Sequence, residues 1–284
     1  MKIQKTAPAY PQGSLLVEPE WLAAHSADKN LRIVDMRSEK AYAAGHIPGA
    51  VRIEDKPLRN PEERLTYLPR PEVFTELMNR AGIGNQTDVV IYDDEGGKLA
   101  ARLWYLLHAF GHSRSTLLNG GWQKWTAQSR PISTEATVVP SARYQVKAIP
   151  DMTCALPQLL TRKPGVIVLD VRSPDEYSAK VISPGAKQEG RIPGAVNVEW
   201  KENVTGPNLE FKPAGELLAM YAAKGITPSQ EIIVHCAAGG RAAQSLFTLR
   251  LLGFKKIRVY YGSFADYSAL PNVPIEKPNV LIDK

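Results

Sequence analysis

The sequence predicts an α/β fold occurring twice, as two tandem domains that are each a mostly parallel sheet flanked by helices on both faces. Three observations predict it. Short apolar runs alternate with amphipathic stretches, the pattern of strand–helix units whose strands pair in parallel. Four motifs recur in the same order at nearly constant offset, which marks an internal duplication. The length of 284 residues fits two domains of roughly 100–200 residues each.

The motifs justify the elements in order. Leu31–Ser38 (LRIVDMRS) returns as Val166–Ser173 (VIVLDVRS), each an apolar run ending in Asp-x-Arg, read as a buried strand with charged residues at its carboxyl end. His46–Ala50 (HIPGA) returns as Arg191–Ala195 (RIPGA), and Val89–Lys98 (VVIYDDEGGK) aligns without gaps on Ile232–Arg241 (IIVHCAAGGR). Trp122 and Trp125 fall opposite Phe264 and Tyr267, and Pro131 opposite Pro274. The offset is 135 from Asp35 to Asp170 but 143 from Asp93 to Cys236, a jump explained by extra residues around Val181–Gly190. In the second unit the pattern predicts strands at Val166–Asp170, Glu231–His235 and Lys256–Tyr260, with helices at Gly215–Ala223 and Arg241–Leu252. Residues 14–135 and 151–278 are the expected domains. The linker at 136–150 lies in a Pro-, Ser- and Thr-rich stretch without helical or strand period. In such sheets ligands bind at the carboxyl ends of the strands.

Composition narrows the function classes. With 44% hydrophobic and 23% charged residues the chain is globular rather than disordered, and no stretch nears the ~20 apolar residues of a membrane span. The first 25 residues hold no signal peptide as written, so a soluble cytoplasmic protein is expected, or a periplasmic one if a leader was removed. Two cysteines make no disulfide framework, and five scattered histidines give no metal-site spacing. The net charge of +6 is uneven: residues 1–142 carry 17 Lys+Arg against 16 Asp+Glu, and residues 143–284 carry 18 against 13. These cations are dispersed, which argues against nucleic acid and for a small anionic ligand in the second half.

Cys236 carries the chemistry. It sits between a predicted strand end and a helix start, where backbone N–H groups lack intrahelical partners. Ala237, Ala238, Gly239 and Gly240 let the backbone curl round the sulfur, the helix dipole favours an anion, and Arg241 adds a positive charge. The arrangement suits a thiolate nucleophile or an anionic adduct on its sulfur, although a free cysteine is commonly a small buried hydrophobe. Cys154, in Thr153–Pro157 (TCALP), has no such loop and reads as structural.

This constellation resembles the rhodanese family, specifically its tandem-domain sulfurtransferases, over about residues 14–278. The resemblance rests on the two Asp-x-Arg and two Ile-Pro-Gly-Ala segments, on Cys236–Arg241, and on Gly262–Phe264. It implies a catalytic second domain and a degenerate first one, where Asp93, Asp94 and Glu95 replace the cysteine loop. That acidic run is expected to be catalytically silent and solvated. The resemblance further implies attack of Cys236 on a donor such as thiosulfate, release of sulfite, and transfer from the persulfide to cyanide or a thiol. No metal or organic cofactor is implied, and a monomer is expected.

Loop length sets the chain apart from phosphatases and arsenate reductases related to this fold, which use Cys-x5-Arg; here the spacing is Cys-x4-Arg. Mercaptopyruvate sulfurtransferases resemble Cys-Gly-Ser-Gly-Val-Thr, so Arg241 points toward the more highly charged thiosulfate, with 3-mercaptopyruvate as the alternative. Animal rhodaneses place a substrate-binding arginine where this chain has Glu176. Arg191 is either a compensating anion contact or an exposed charge. Asp170 and Arg172 are expected to tie the strand end to the loop, His235 to face away from Cys236, and Trp200 to be core or cleft wall. The competing class is a non-catalytic binding or redox-sensing module.

Overall fold

In this computed structural model, which describes residues 10–59, 68–147 and 149–277, strands and helices alternate along both halves. The first domain runs β1 (Leu16–Val17), α1 (Pro19–His25), β2 (Leu31–Asp35), α2 (Glu39–Ala44), β3 (Ala50–Arg52), α3 (Pro71–Arg80), β4 (Asp88–Tyr92), α4 (Lys98–Ala109), β5 (Ser115–Leu118) and α5 (Gly121–Ala127). The second begins with α6 (Leu156–Leu160), β6 (Ile167–Asp170), α7 (Pro174–Tyr177), β7 (Val196–Asn197), β8 (Val204–Thr205) and β9 (Glu210–Phe211). It ends with α8 (Ala214–Ala222), β10 (Ile232–His235), α9 (Gly240–Leu251), β11 (Ile257–Val259) and α10 (Ser263–Tyr267). The expected boundary at 278 and linker position 148 lie outside the described residues.

The first sheet has the order β1-β5-β4-β2-β3 and the second β11-β10-β6-β7, with every pair parallel. Setting β5, β4, β2 and β3 on β11, β10, β6 and β7 superposes the two orders. Even β1 has a trace in the second domain, where Thr153 bridges Val259 in parallel. Strand β10 is buried along its whole length, which is why it reads as an unbroken apolar run.

The duplication holds at the level of single atoms. Asp35–Arg37 and Asp170–Arg172 are buried ion pairs, each at 2.6 Å. The guanidinium of Arg37 lies 3.9 Å from the ring centre of Trp122, and that of Arg172 lies 4.0 Å from Phe264, so both desolvated arginines gain a cation–π contact. Trp125 Nε1 donates to the Pro131 carbonyl at 2.8 Å, and the Tyr267 hydroxyl to the Pro274 carbonyl at 2.7 Å. Each bond anchors the chain as it leaves its domain.

The two domains share one apolar core. Helices α4 and α9 pack on each other, with Trp104 edge-on to Phe247 at 5.1 Å and Tyr105 stacked on Tyr261 at 5.6 Å. The β8–β9 hairpin has no counterpart among the described residues of the first domain. Its Phe211 N–H donates to Asn119 Oδ1 at 3.0 Å, while Lys124 bridges Glu18 and Glu210. The residues after Arg130 are irregular as expected, yet they are tied down. Ser133 bridges His46, and Tyr144 is buried against Phe74, with its N–H donated to Asn79 Oδ1 at 2.7 Å. Nothing in composition marks that anchoring, because it depends on partners far away in sequence.

Candidate active site

Strand β10 delivers Cys236 to the carboxyl end of the second sheet, and α9 starts four residues later. Between them Gly239 takes φ +88°, and a Cβ there would lie 2.9 Å from the Tyr261 ring, so both the turn and the close approach require glycine. The Gly239 N–H donates to Cys236 Sγ at 3.1 Å. Ser263 closes the other side: its hydroxyl accepts from the Cys236 N–H at 3.2 Å and lies 3.8 Å from Sγ. Ser263 holds φ +56°, where the first domain uses Gly121 at φ +50°. A non-glycine residue in that region is held at a cost of order 1–3 kcal/mol, here beside the cysteine.

Cys236 is 1% exposed and forms the floor of a cleft of about 800 Å³ between the domains. Asp55, Glu95 and Glu176 line it against Arg59, Lys98, Arg102, Lys201 and Arg241, so the cleft is cationic and suited to an anionic small molecule. Ala237, Ala238, Gly240 and Trp200 also line it, which makes Trp200 both largely buried and part of the wall.

Two expectations about charge are corrected. Arg241 is not a free cation. Its guanidinium grips Glu176 with two bonds, at 2.5 and 2.9 Å. Burial raises the Glu176 pKa, but the bond and charge of Arg241 outweigh it and bring the carboxyl down to about 2. Glu176 thus neutralises the loop arginine. The second correction concerns the acidic run. Asp93 is not a solvated loop residue: it is 2% exposed. Its Oδ1 accepts from the N–H groups of Glu95 and Gly97 at 2.9 Å each, and its Oδ2 from Leu99 at 2.7 Å and Ala100 at 2.9 Å. Burial raises its pKa, and those four bonds oppose the rise.

The remaining residues fall in place around this centre. Arg172 is fully buried. Besides Asp170 it donates to Ser183 Oγ and to the Gly190 carbonyl, both at 2.8 Å, so the pair pins the extra segment of the second domain rather than the Cys236 loop. His235 is buried, with Nε2 3.7 Å from Asp170 Oδ2. Burial pushes its pKa down, leaving a neutral ring on the side of the strand end away from the cleft lining. In the first domain the Tyr92 hydroxyl fills that place, donating to Asp35 Oδ2 at 2.6 Å. Arg191 is not among the cleft-lining residues; it pairs with Glu276 and lies over the Tyr177 ring. Cys154 is buried, and burial pushes its thiol pKa up.

Arg102 is the cleft residue that sequence reasoning missed. It sits on α4 of the first domain, is 4% exposed, and donates to Asp55 at 2.8 and 3.1 Å. A lone arginine inside the apolar run LAARLWYLL is the signal that could have found it, since a buried cation needs a reason to be there.

Comparison with known proteins fits this geometry. The model of the rhodanese-like domain matches residues 18–128 and 155–270. The chain is 35% identical to the sulfur carrier protein TtuD of Thermus thermophilus, over 94% of this chain and 98% of the relative. It is 36% identical to a thiosulfate sulfurtransferase of Corynebacterium glutamicum, over 94% of this chain and 92% of the relative. Among solved structures, the 3-mercaptopyruvate sulfotransferase SseA from Escherichia coli superposes with a TM-score of 0.80 at 29% identity, covering 88% of this chain and 98% of that one.

Proposed function

The chain belongs to the rhodanese-like domain family and is a sulfurtransferase-type enzyme of that fold, and from this premise we propose that it moves the sulfane sulfur of thiosulfate through a persulfide on Cys236. The Cys236 thiolate attacks the outer sulfur. A new S–S bond forms, the S–SO3 bond breaks, and sulfite leaves with the electron pair. A thiophilic acceptor then attacks the terminal sulfur and returns the thiolate; cyanide leaves as thiocyanate, and a thiol leaves as its own persulfide.

One observation carries this reading. In the first loop the Asp93 carboxylate oxygens, two bonds beyond Cβ, take four backbone N–H bonds. The terminal sulfur of a cysteine persulfide is also two bonds beyond Cβ. On the gapless alignment of the two loops, the four donors fall at Ala238, Gly240, Ala242 and Ala243. The first domain therefore carries, as a resident carboxyl group, an image of the anion that the second would hold transiently. N–H groups that converge on such an anion stabilise it.

The neutralisation of Arg241 by Glu176 favours a second donor, 3-mercaptopyruvate, because it removes one reason to prefer the more highly charged thiosulfate. Steady-state kinetics with cyanide as acceptor test both. Double displacement with thiosulfate, and a larger kcat/KM for it than for 3-mercaptopyruvate, is the expected result. The reverse order of the two donors would overturn the choice of thiosulfate.

A further inference from the structure

The two arginines beside the Cys236 loop are balanced differently. Arg241 meets Glu176 one to one, and the pair is neutral. Among the described residues Arg102 and Arg59 share one carboxylate, that of Asp55, which leaves one positive charge over there. Arg102 Nη2 points to the Ala238 carbonyl at 3.4 Å, and Nε is buried with no acceptor among the described residues. The guanidinium also lies against Gly240, where a Cβ would be 2.3 Å from Nη2. Glycine at that position is what admits the arginine.

The contact has a mirror image. From α9 of the second domain, the Gln244 side-chain amide donates to the Gly96 carbonyl of the first loop at 3.3 Å. Each domain's helix thus reaches the other domain's loop. A neutral amide meets the loop that already holds a carboxylate, and a cation meets the loop that holds the thiol. A desolvated guanidinium acts on a nearby anion far more strongly than one in water.

Among the described residues, the other charged and titratable groups around Cys236 do not supply this charge. Arg172 is matched by Asp170, with neutral His235 beside them. Burial raises the Tyr261 pKa, which keeps its hydroxyl neutral. Lys98 is paired with Glu95, and Lys201 is exposed at the rim. We propose that Arg102, from the domain without a cysteine, is a positioning residue for sulfur transfer: it holds the Cys236 thiolate and the anionic end of the donor against the loop. The donor half of this statement rests on the sulfurtransferase reading; the thiolate half rests on the approach of Arg102 to Ala238 and Gly240 of the Cys236 loop.

The test is Arg102→Gln in the full chain, which puts the amide of the first loop's partner in place of the cation. Two quantities are read: the pH profile of Cys236 alkylation by iodoacetamide, and KM against kcat for thiosulfate. Loss of an opposite charge should move the alkylation midpoint up by about one pH unit and raise KM about tenfold, with kcat changed less. Arg102→Lys should restore much of both. If Arg102→Gln does not fold, Gly240→Ala replaces it, because the added methyl displaces the guanidinium without removing it; the same shifts are expected. An alkylation midpoint and KM within error of wild type, in a folded variant, overturn the proposal. Should the wild type take no sulfur from any donor, the sulfurtransferase reading fails by itself, and the alkylation profile still decides the role of Arg102.

Discussion

The loops at Asp93 and Cys236 occupy equivalent places and differ both in backbone, since Gly97 holds φ +82° where the aligned Gly240 takes no positive φ, and in what fills them. The first is filled by its own side chain, whose two oxygens take four N–H bonds. In the second the sulfur, on a side chain one atom shorter, takes one bond, from Gly239, whose counterpart Gly96 is not among the donors to Asp93. A cradle of N–H groups built for an anion is stable when the anion is resident. On the proposed function it becomes a reaction site when the anion has to be made there. The same contrast runs through the neighbouring charges, where Gln244 faces the first loop and Arg102 the second. The first domain has no cysteine in its loop, yet it lines the cleft and brings Arg102 to the loop of the second.

The sharpest way to break this contrast is to exchange the groups that define it. Cys236→Ser should reduce sulfur transfer to the assay floor, because a hydroxyl is a far weaker nucleophile than a thiolate. Full activity in that variant would remove Cys236 from the chemistry. Asp93→Ala should do the opposite. It deprives four buried N–H groups of their acceptor and should cost about 3–6 kcal/mol of stability, read from urea unfolding. Turnover per folded molecule should stay near wild type, and its collapse would contradict a silent first loop.

A smaller effect separates the two cations of the second loop. The folded pKa of Glu176 is about 2, below its ordinary value. The stability gained from its pair with Arg241 is therefore full above the ordinary carboxylate range and is lost as pH falls toward 2. Glu176→Gln should flatten that acid limb by up to about 3 kcal/mol and, by freeing Arg241, lower the KM for thiosulfate a few-fold. Identical acid limbs would mean that the pair contributes nothing. The smallest effect is expected beneath the first loop. Tyr92→Phe removes the bond to Asp35 and the acceptor of the Ile47 N–H and should cost about 1–2 kcal/mol in thermal or urea unfolding, with no change in turnover.

Much of this architecture was legible in the sequence because it is local or repeated. Burial on both faces writes parallel strands as apolar runs, and duplication turns weak motifs into an ordered set; Trp125 and Tyr267, with their bonds to Pro131 and Pro274, bear that alignment out. The Cys236 loop was legible because strand end, small residues and helix start are contiguous. Three features were not. The Glu176–Arg241 pair joins residues 65 positions apart, and Arg102 reaches a loop 136 positions away in the other domain. Asp93 was misread as solvated because an acidic run looks solvated, whereas its partners are backbone N–H groups that leave no mark in composition.

The most direct measurement is the intact mass of the reduced protein after brief exposure to thiosulfate, with Cys236→Ser alongside. The account predicts a gain of one sulfur atom on the wild type, none on the variant, and loss of that sulfur on adding cyanide. A gain that persists in Cys236→Ser, or no gain on the wild type from either thiosulfate or 3-mercaptopyruvate, would contradict it.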